Sequence, residues 1–148
     1  QLLREVDQAA VVAFNDRAWV AAGLSGNGEA LMGAIDGIAT APYTRIDLAL
    51  EQAVAALKGE GARATARKVV VLITDGQPTR TTPEAVRAAG AAARALGTVF
   101  VIGVGGDIDV PLMIDVAGAA DRYYPVDDAE ALGRIYAQIA DRTRCGEN

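Results

Sequence analysis

The chain has 148 residues, of which 51% are hydrophobic, 22% charged and only 5% aromatic, and its net charge is −5. That length suits a single domain over 1–148 with an aliphatic core, and the acidic balance excludes a chain built mainly to neutralise phosphates, so no nucleic-acid partner is expected. With no histidine and one cysteine, Cys145, the chain alone supports no Ser-His or Cys-His catalysis, no His-ligated zinc and no internal disulfide; no apolar run reaches the roughly 18 residues of a membrane-spanning helix.

Ala9–Phe14 and Ala18–Ala22 are apolar and β-prone, and Asn15-Asp16-Arg17 between them is turn chemistry, so an antiparallel hairpin is predicted. Leu24–Asn27 reads as a loop. Leu31, Ala34, Ile35 and Ile38 recur at helical spacing within Glu29–Ile38, before Ala41-Pro42-Tyr43-Thr44 interrupts the pattern. A helix from Arg45 to Lys58 follows, with Ile46, Ala49, Leu50, Ala53, Val54 and Leu57 on one face and Gly59-Glu60-Gly61 as its stop. Val69–Thr74 is a continuous apolar run, the pattern of a strand covered on both faces of a parallel sheet.

After the loop Asp75–Thr79, Thr82 reads as an N-cap, with Pro83 in the first turn and Glu84 at the positive helix end. That helix is predicted to reach Leu96, with Gly97 as its C-cap. Thr98–Val104 is the next buried strand. A helix over Pro111–Ala117, a short strand over Arg122–Tyr124 and a helix over Ala129–Arg142, with Leu132, Ile135, Tyr136 and Ile139 facing in, complete the pattern. The alternation of strand and helix predicts an α/β domain with a mostly parallel sheet and right-handed crossovers.

Such sheets bind ligands beyond the carboxyl ends of their strands, which directs attention to Asp75 and to Gly105–Asp109. A carboxylate at the mouth of a buried strand is placed to hold a hard cation, or to cap the turn or the next helix. Thr44, just before a helix, is open as an N-cap, the commoner role for such a Thr, or as a neutral hydroxyl ligand. Gly103-Val104-Gly105-Gly106 lacks the third glycine of a dinucleotide fingerprint and follows a late strand, so it reads as a tight turn. Asp107 and Asp109 read as capping or solvated residues rather than a catalytic pair, and Tyr123 and Tyr124 as amphipathic edge residues. Arg63, Arg67 and Lys68, and Arg80, Arg87 and Arg94 at seven-residue spacing near one helix face, read as solvated surface.

Taken together, Phe14-Asn15-Asp16, the run Tyr43-Thr44-Arg45-Ile46-Asp47-Leu48-Ala49-Leu50, Val69–Gly76 with Pro78, Val101–Gly105 and Tyr123–Leu132 resemble the von Willebrand factor type A domain over essentially the whole chain. The resemblance implies a Rossmann-like three-layer α/β sandwich with a metal-ion-dependent adhesion site. That site takes an Asp-x-Ser-x-Ser loop after the first strand, a Thr from a second loop and an Asp from a third. Thr44 matches the second position and Asp75 the third. The implied ion is Mg²⁺, with Mn²⁺ or Ca²⁺ as alternatives, left under-neutralised so that an acidic side chain from a protein partner completes its shell.

Ser25 is the only serine, so Asp-x-Ser-x-Ser is nowhere in these residues. The strand that should carry it is absent too, since Gln1–Asp7 reads as the tail of the helix after it. In the 3-2-1-4-5-6 order of this fold that strand is central. The expectation is therefore a parallel sheet and an antiparallel edge hairpin with the central first strand missing, to be supplied by an upstream segment of a longer polypeptide or by a complementing strand. The function expected is a non-catalytic interaction or adhesion module, metal-dependent when the first loop is supplied. The alternatives are a metal-free interaction domain, and a nucleotide-binding or enzyme domain using the crevice near Asp75 and Gly103–Asp107. Cys145 suits a disulfide to a region outside the chain, which favours an extracellular or cell-surface setting.

Overall fold

Asn15 closes the first turn from both ends: its N–H donates to the Arg17 carbonyl at 2.8 Å and its side chain accepts the Arg17 N–H at 3.1 Å. The computed structural model describes residues 7–39, 41–127 and 129–145; residues 1–6, and with them the expected helical tail, lie outside that description. Strand β1 (Ala9–Phe14) pairs antiparallel with β2 (Ala18–Ser25). Leu24 and Ser25 therefore belong to a strand and not to the expected loop. Register shifts around Val11 let the ladder continue until Ala9 lies opposite Ser25.

Helix α1 (Gly28–Asp36) starts where Asn27 accepts the N–H groups of Glu29 and Ala30. It rests on the hairpin through Leu31, while Ile35, at helical spacing from it, is 54% exposed. Helix α2 (Ile46–Lys58), strand β3 (Val69–Thr74), helix α3 (Pro83–Arg94), strand β4 (Thr98–Val104), helix α4 (Val110–Ala117), strand β5 (Tyr123–Val126) and helix α5 (Ala129–Cys145) follow. Strands β3, β4 and β5 form one parallel ladder in that order, Val69 opposite Thr98 and Val101 opposite Tyr123. The last strand is an edge, which is why Pro125 is tolerated in it. Arg122, expected in that strand, ends the 3₁₀ turn before it.

Alternation along the strands divides the core in two. Leu72, Val99 and Val101 pack with Ile46 and Leu50 of α2, Val86 of α3 and Met113 of α4. Phe100 and Ile102 pack on the other face with Val126 and with Ile135 and Ile139 of α5. The chain is thus a Rossmann-like α/β sandwich, helices on either side of a sheet. Helix α3 ends at Arg94 with Ala95 as its C-cap, two residues short of the predicted end. Gly97 serves a different need: a side chain there would collide with the backbone of Lys68, whose carbonyl accepts the Thr98 N–H at 3.0 Å.

The two ladders are separate among the described residues. Between β1 and β3 lies an open slot, walled by Val12 and Phe14 on one side and Val71 and Ile73 on the other, with Ala49 and Leu50 of α2 also lining it. The hairpin and the parallel sheet therefore flank a gap, in the arrangement expected of a sheet without its central strand.

Candidate functional site

The carboxyl ends of β1 and β3 meet at one rim, held by backbone hydrogen bonds. The Asn15 carbonyl accepts the Arg45 N–H at 2.8 Å. The Thr44 carbonyl accepts the Thr79 N–H at 3.0 Å, and the Thr44 N–H donates to Thr79 Oγ1 at 2.6 Å. These bonds clamp the segment before α2 onto the loop after β3. Thr44 Oγ1 faces that loop; a Cβ at Gly76 would stand 3.9 Å from it. Asp75 is exposed beside Gly76, and no hydrogen bond or ion pair joins its carboxylate to another described residue.

The capping roles open to both residues are filled by others. Arg45 is the N-cap of α2 and makes no side-chain cap bond, while Thr82 caps α3 by accepting the Ala85 N–H at 3.2 Å. The structure thus brings the Thr44 hydroxyl and the Asp75 carboxylate to one rim without a structural duty for either. Two more features border them. Tyr43 (φ 76°) and Arg80 (φ 55°) are both left-handed although neither is glycine, an arrangement that costs about 1–3 kcal/mol at each residue. The Arg80 guanidinium stacks 3.5 Å over the Tyr43 ring centroid.

Asp47 is the residue that sequence reasoning passed over. Its side chain is 7% exposed and takes a bidentate pair from Arg45, Nε to Oδ1 at 2.9 Å and Nη2 to Oδ2 at 2.8 Å. Burial pushes its carboxyl up, but bonds from Arg45, the Thr81 hydroxyl and the Leu48 N–H outweigh that and hold it below the usual carboxylate range. Asp47 thus ties the start of α2 to the loop that carries Thr79. An acid in a first helical turn is ordinary dipole chemistry, so nothing local marked it as buried.

The remaining sequence candidates have structural duties. Asp109 caps α4 through the Leu112 N–H at 3.1 Å, and Asp107 accepts a bond from Gln77 at 3.2 Å. Gly103 lies inside β4, where an added Cβ would stand 2.5 Å from the Tyr123 hydroxyl. Gly105 (φ 77°) makes the turn and donates to the Val126 carbonyl at 2.8 Å. Arg80 precedes α3 and does not share a helix face with Arg87 and Arg94. Those two tie α3 to α4: Arg87 pairs with Asp115 at 2.8 Å, and Arg94 donates to the carbonyls of Asp115 and Val116 at 2.6 and 2.8 Å. Arg67 likewise donates to the Thr143 carbonyl at 2.8 Å.

A neutral hydroxyl and an unpaired carboxylate are hard oxygen donors of the kind Mg²⁺ takes. They fit such an ion as part of a shell. Among the described residues no group of three His, Cys, Asp or Glu is placed to hold a metal.

The fold is that of an α/β domain, a class that binds ligands beyond the carboxyl ends of its strands. The family model of the von Willebrand factor type A domain matches residues 1–138, and the chain belongs to that family. No curated protein matches it in sequence. Among solved structures, proximal thread matrix protein 1 from the mussel byssus, with a zinc-occupied MIDAS motif, is 28% identical over 90% of this chain and 34% of its own, with a TM-score of 0.74. A von Willebrand factor type A protein from Catenulispora acidiphila superposes with a TM-score of 0.85 at 20% identity, over 96% of this chain and 35% of its own. The manganese-loaded TRAP protein of Plasmodium vivax gives 0.69 at 20% identity, over 89% of this chain and 57% of its own. The chain spans about a third of the length of the first two.

Proposed function

We propose that residues 1–148 form one non-catalytic protein-interaction domain whose rim binds a divalent cation, Mg²⁺ or alternatively Mn²⁺ or Ca²⁺. Thr44 and Asp75 hold the ion directly or through water, the other protein donors come from a loop outside these residues, and a partner's acidic side chain completes the shell. The observation that carries this reading is the exposed Asp75 carboxylate, bonded to no other described residue, on the loop that Thr44 Oγ1 faces at Gly76. The Arg80 guanidinium on the same rim supports an acidic partner by charge complementarity. The zinc-occupied MIDAS motif of the 28%-identical byssus protein supports a divalent metal in this domain. The byssus origin of one supports an extracellular setting; the Cys145 side chain, whose external disulfide would favour the same setting, lies outside the described residues.

The test is Mn²⁺ titration with NMR detection of the chain. Paramagnetic broadening is expected first at the amides of Thr44, Arg45, Asp75 and Gly76, to vanish in Asp75→Ala and to weaken in Thr44→Val. Broadening centred on Asp107 or Asp109, or unchanged by Asp75→Ala, overturns the assignment. No localised broadening at all favours the metal-free interaction domain.

A further inference from the structure

We propose that the Tyr43–Arg80 stack is a carboxylate-binding subsite, separate from Thr44 and Asp75. Arg80 takes an acidic side chain of a protein partner there through its in-plane N–H groups. The first observation is backbone conformation. Among the described residues only Tyr43 (φ 76°) and Arg80 (φ 55°) hold left-handed backbone without being glycine, and glycine would hold it with less strain. What the chain gains at both positions is a side chain, and the two side chains meet. Such strain persists where its surroundings over-determine it. Thr79 bonds Thr44 through its N–H and its hydroxyl, and the Thr81 hydroxyl bonds Asp47. Arg80 is thus held between two anchored neighbours, and Tyr43 adjoins Thr44.

The second observation is the state of the guanidinium. Its carbon lies 3.5 Å from the Tyr43 ring centroid. A contact that short sets the group flat on the ring, because an edge-on guanidinium would hold its carbon farther away. Its donors lie in its own plane, so the ring takes one face and leaves the donor edge open. No described residue accepts a hydrogen bond from that edge. Elsewhere Arg45, Arg87 and Arg142 donate to carboxylates, and Arg67 and Arg94 to backbone carbonyls. Tyr43 and Arg80 are both exposed. The Arg80 edge is therefore a fixed fork of donors facing solvent.

The ligand class follows from charge. A guanidinium fork matches carboxylate and phosphate geometry alike. Phosphate is drawn by clusters of arginines, whereas this one uncommitted guanidinium shares its rim with the exposed Asp75 carboxylate, in a chain of net charge −5. A singly charged carboxylate suits that field better than a dianion. The subsite needs no ion and so stands apart from the metal reading; where both hold, the partner presents two acidic side chains, one to each.

The test is run in EDTA, so that failure of the metal reading leaves it unchanged. The Arg80 Nε–H and the amides of Tyr43, Thr79 and Thr81 are followed by NMR during titration with the blocked peptide acetyl-Gly-Glu-Glu-Gly-amide. A saturable shift is expected at these groups, and none from the peptide with Gln in place of Glu. Arg80→Lys keeps the charge without the fork, and Tyr43→Leu releases the guanidinium. Each is expected to weaken binding at least about threefold, read at the Thr79 and Thr81 amides. Arg80→Gly abolishes the shift without lowering the urea midpoint, because glycine takes this backbone unstrained. A lowered midpoint shows a stack built for stability and overturns the proposal. An absent shift, an equal response to the Gln peptide, or binding undiminished by Arg80→Lys overturns it as well. So does a shift centred on another arginine, or tighter binding of inorganic phosphate at Arg80.

Discussion

Asp47→Ala removes one side of the Arg45–Asp47 pair and two further donors' acceptor, directly behind Thr44. Breaking a buried ion pair from one side costs about 3–5 kcal/mol. Arg45 keeps 24% of its side chain in contact with solvent, so the stranded guanidinium is partly rehydrated, and the expected loss is about 2–3 kcal/mol. Urea unfolding reads this as a lower midpoint at unchanged slope, and heating reads it as a midpoint roughly 4–12 °C lower. The pH dependence has a fixed sign. Because the folded carboxyl is depressed, its stabilisation is complete above the unfolded value of about 3.9 and is lost as pH falls through the folded one. The penalty of Asp47→Ala at pH 7 therefore shrinks below about pH 4. A loss under about 0.5 kcal/mol, the size of an ordinary surface substitution, or a penalty independent of pH, refutes the reasoning.

Gly97→Ala places a methyl against the Lys68 backbone, which cannot swing aside; an urea midpoint shift worth at least about 3 kcal/mol is expected, the upper end of overpacking. Gly103→Ala meets the Tyr123 hydroxyl, the far end of a side chain, so about 1 kcal/mol is expected, partly recovered in calorimetry by adding Tyr123→Phe. Thr82→Ala deprives the Ala85 N–H of its cap and lowers stability by about 1 kcal/mol in urea titration. Arg80→Glu reverses the charge on the rim, and partner pull-down in Mg²⁺ is expected to fall while the circular dichroism spectrum stays unchanged.

The parts of the fold that sequence reveals are those set by local pattern. Val69–Thr74 and Thr98–Val104 read as buried strands because every position is apolar, and Pro83 after Thr82 marks a helix start through chemistry confined to four residues. Thr44 and Asp75 were legible as candidates because strand ends and helix starts were. What escaped was set by distant neighbours. Gly97 follows a helix closely enough to look like its cap, but its lack of a side chain answers Lys68, the residue just before β3. Asp47 looks like a dipole partner until Thr81, in another loop, covers it. Arg80 shares a seven-residue spacing with Arg87 and Arg94, yet the N-cap at Thr82 puts it outside the helix where that spacing has meaning.

The rim is held together by groups other than its candidate ligands. Thr44 and the loop bearing Asp75 are fixed by the Asn15, Arg45 and Thr79 backbone bonds and by the buried Asp47 pair, none of which involves the candidate ligating atoms. Those atoms are therefore positioned before any ligand arrives, which reduces the ordering cost of binding.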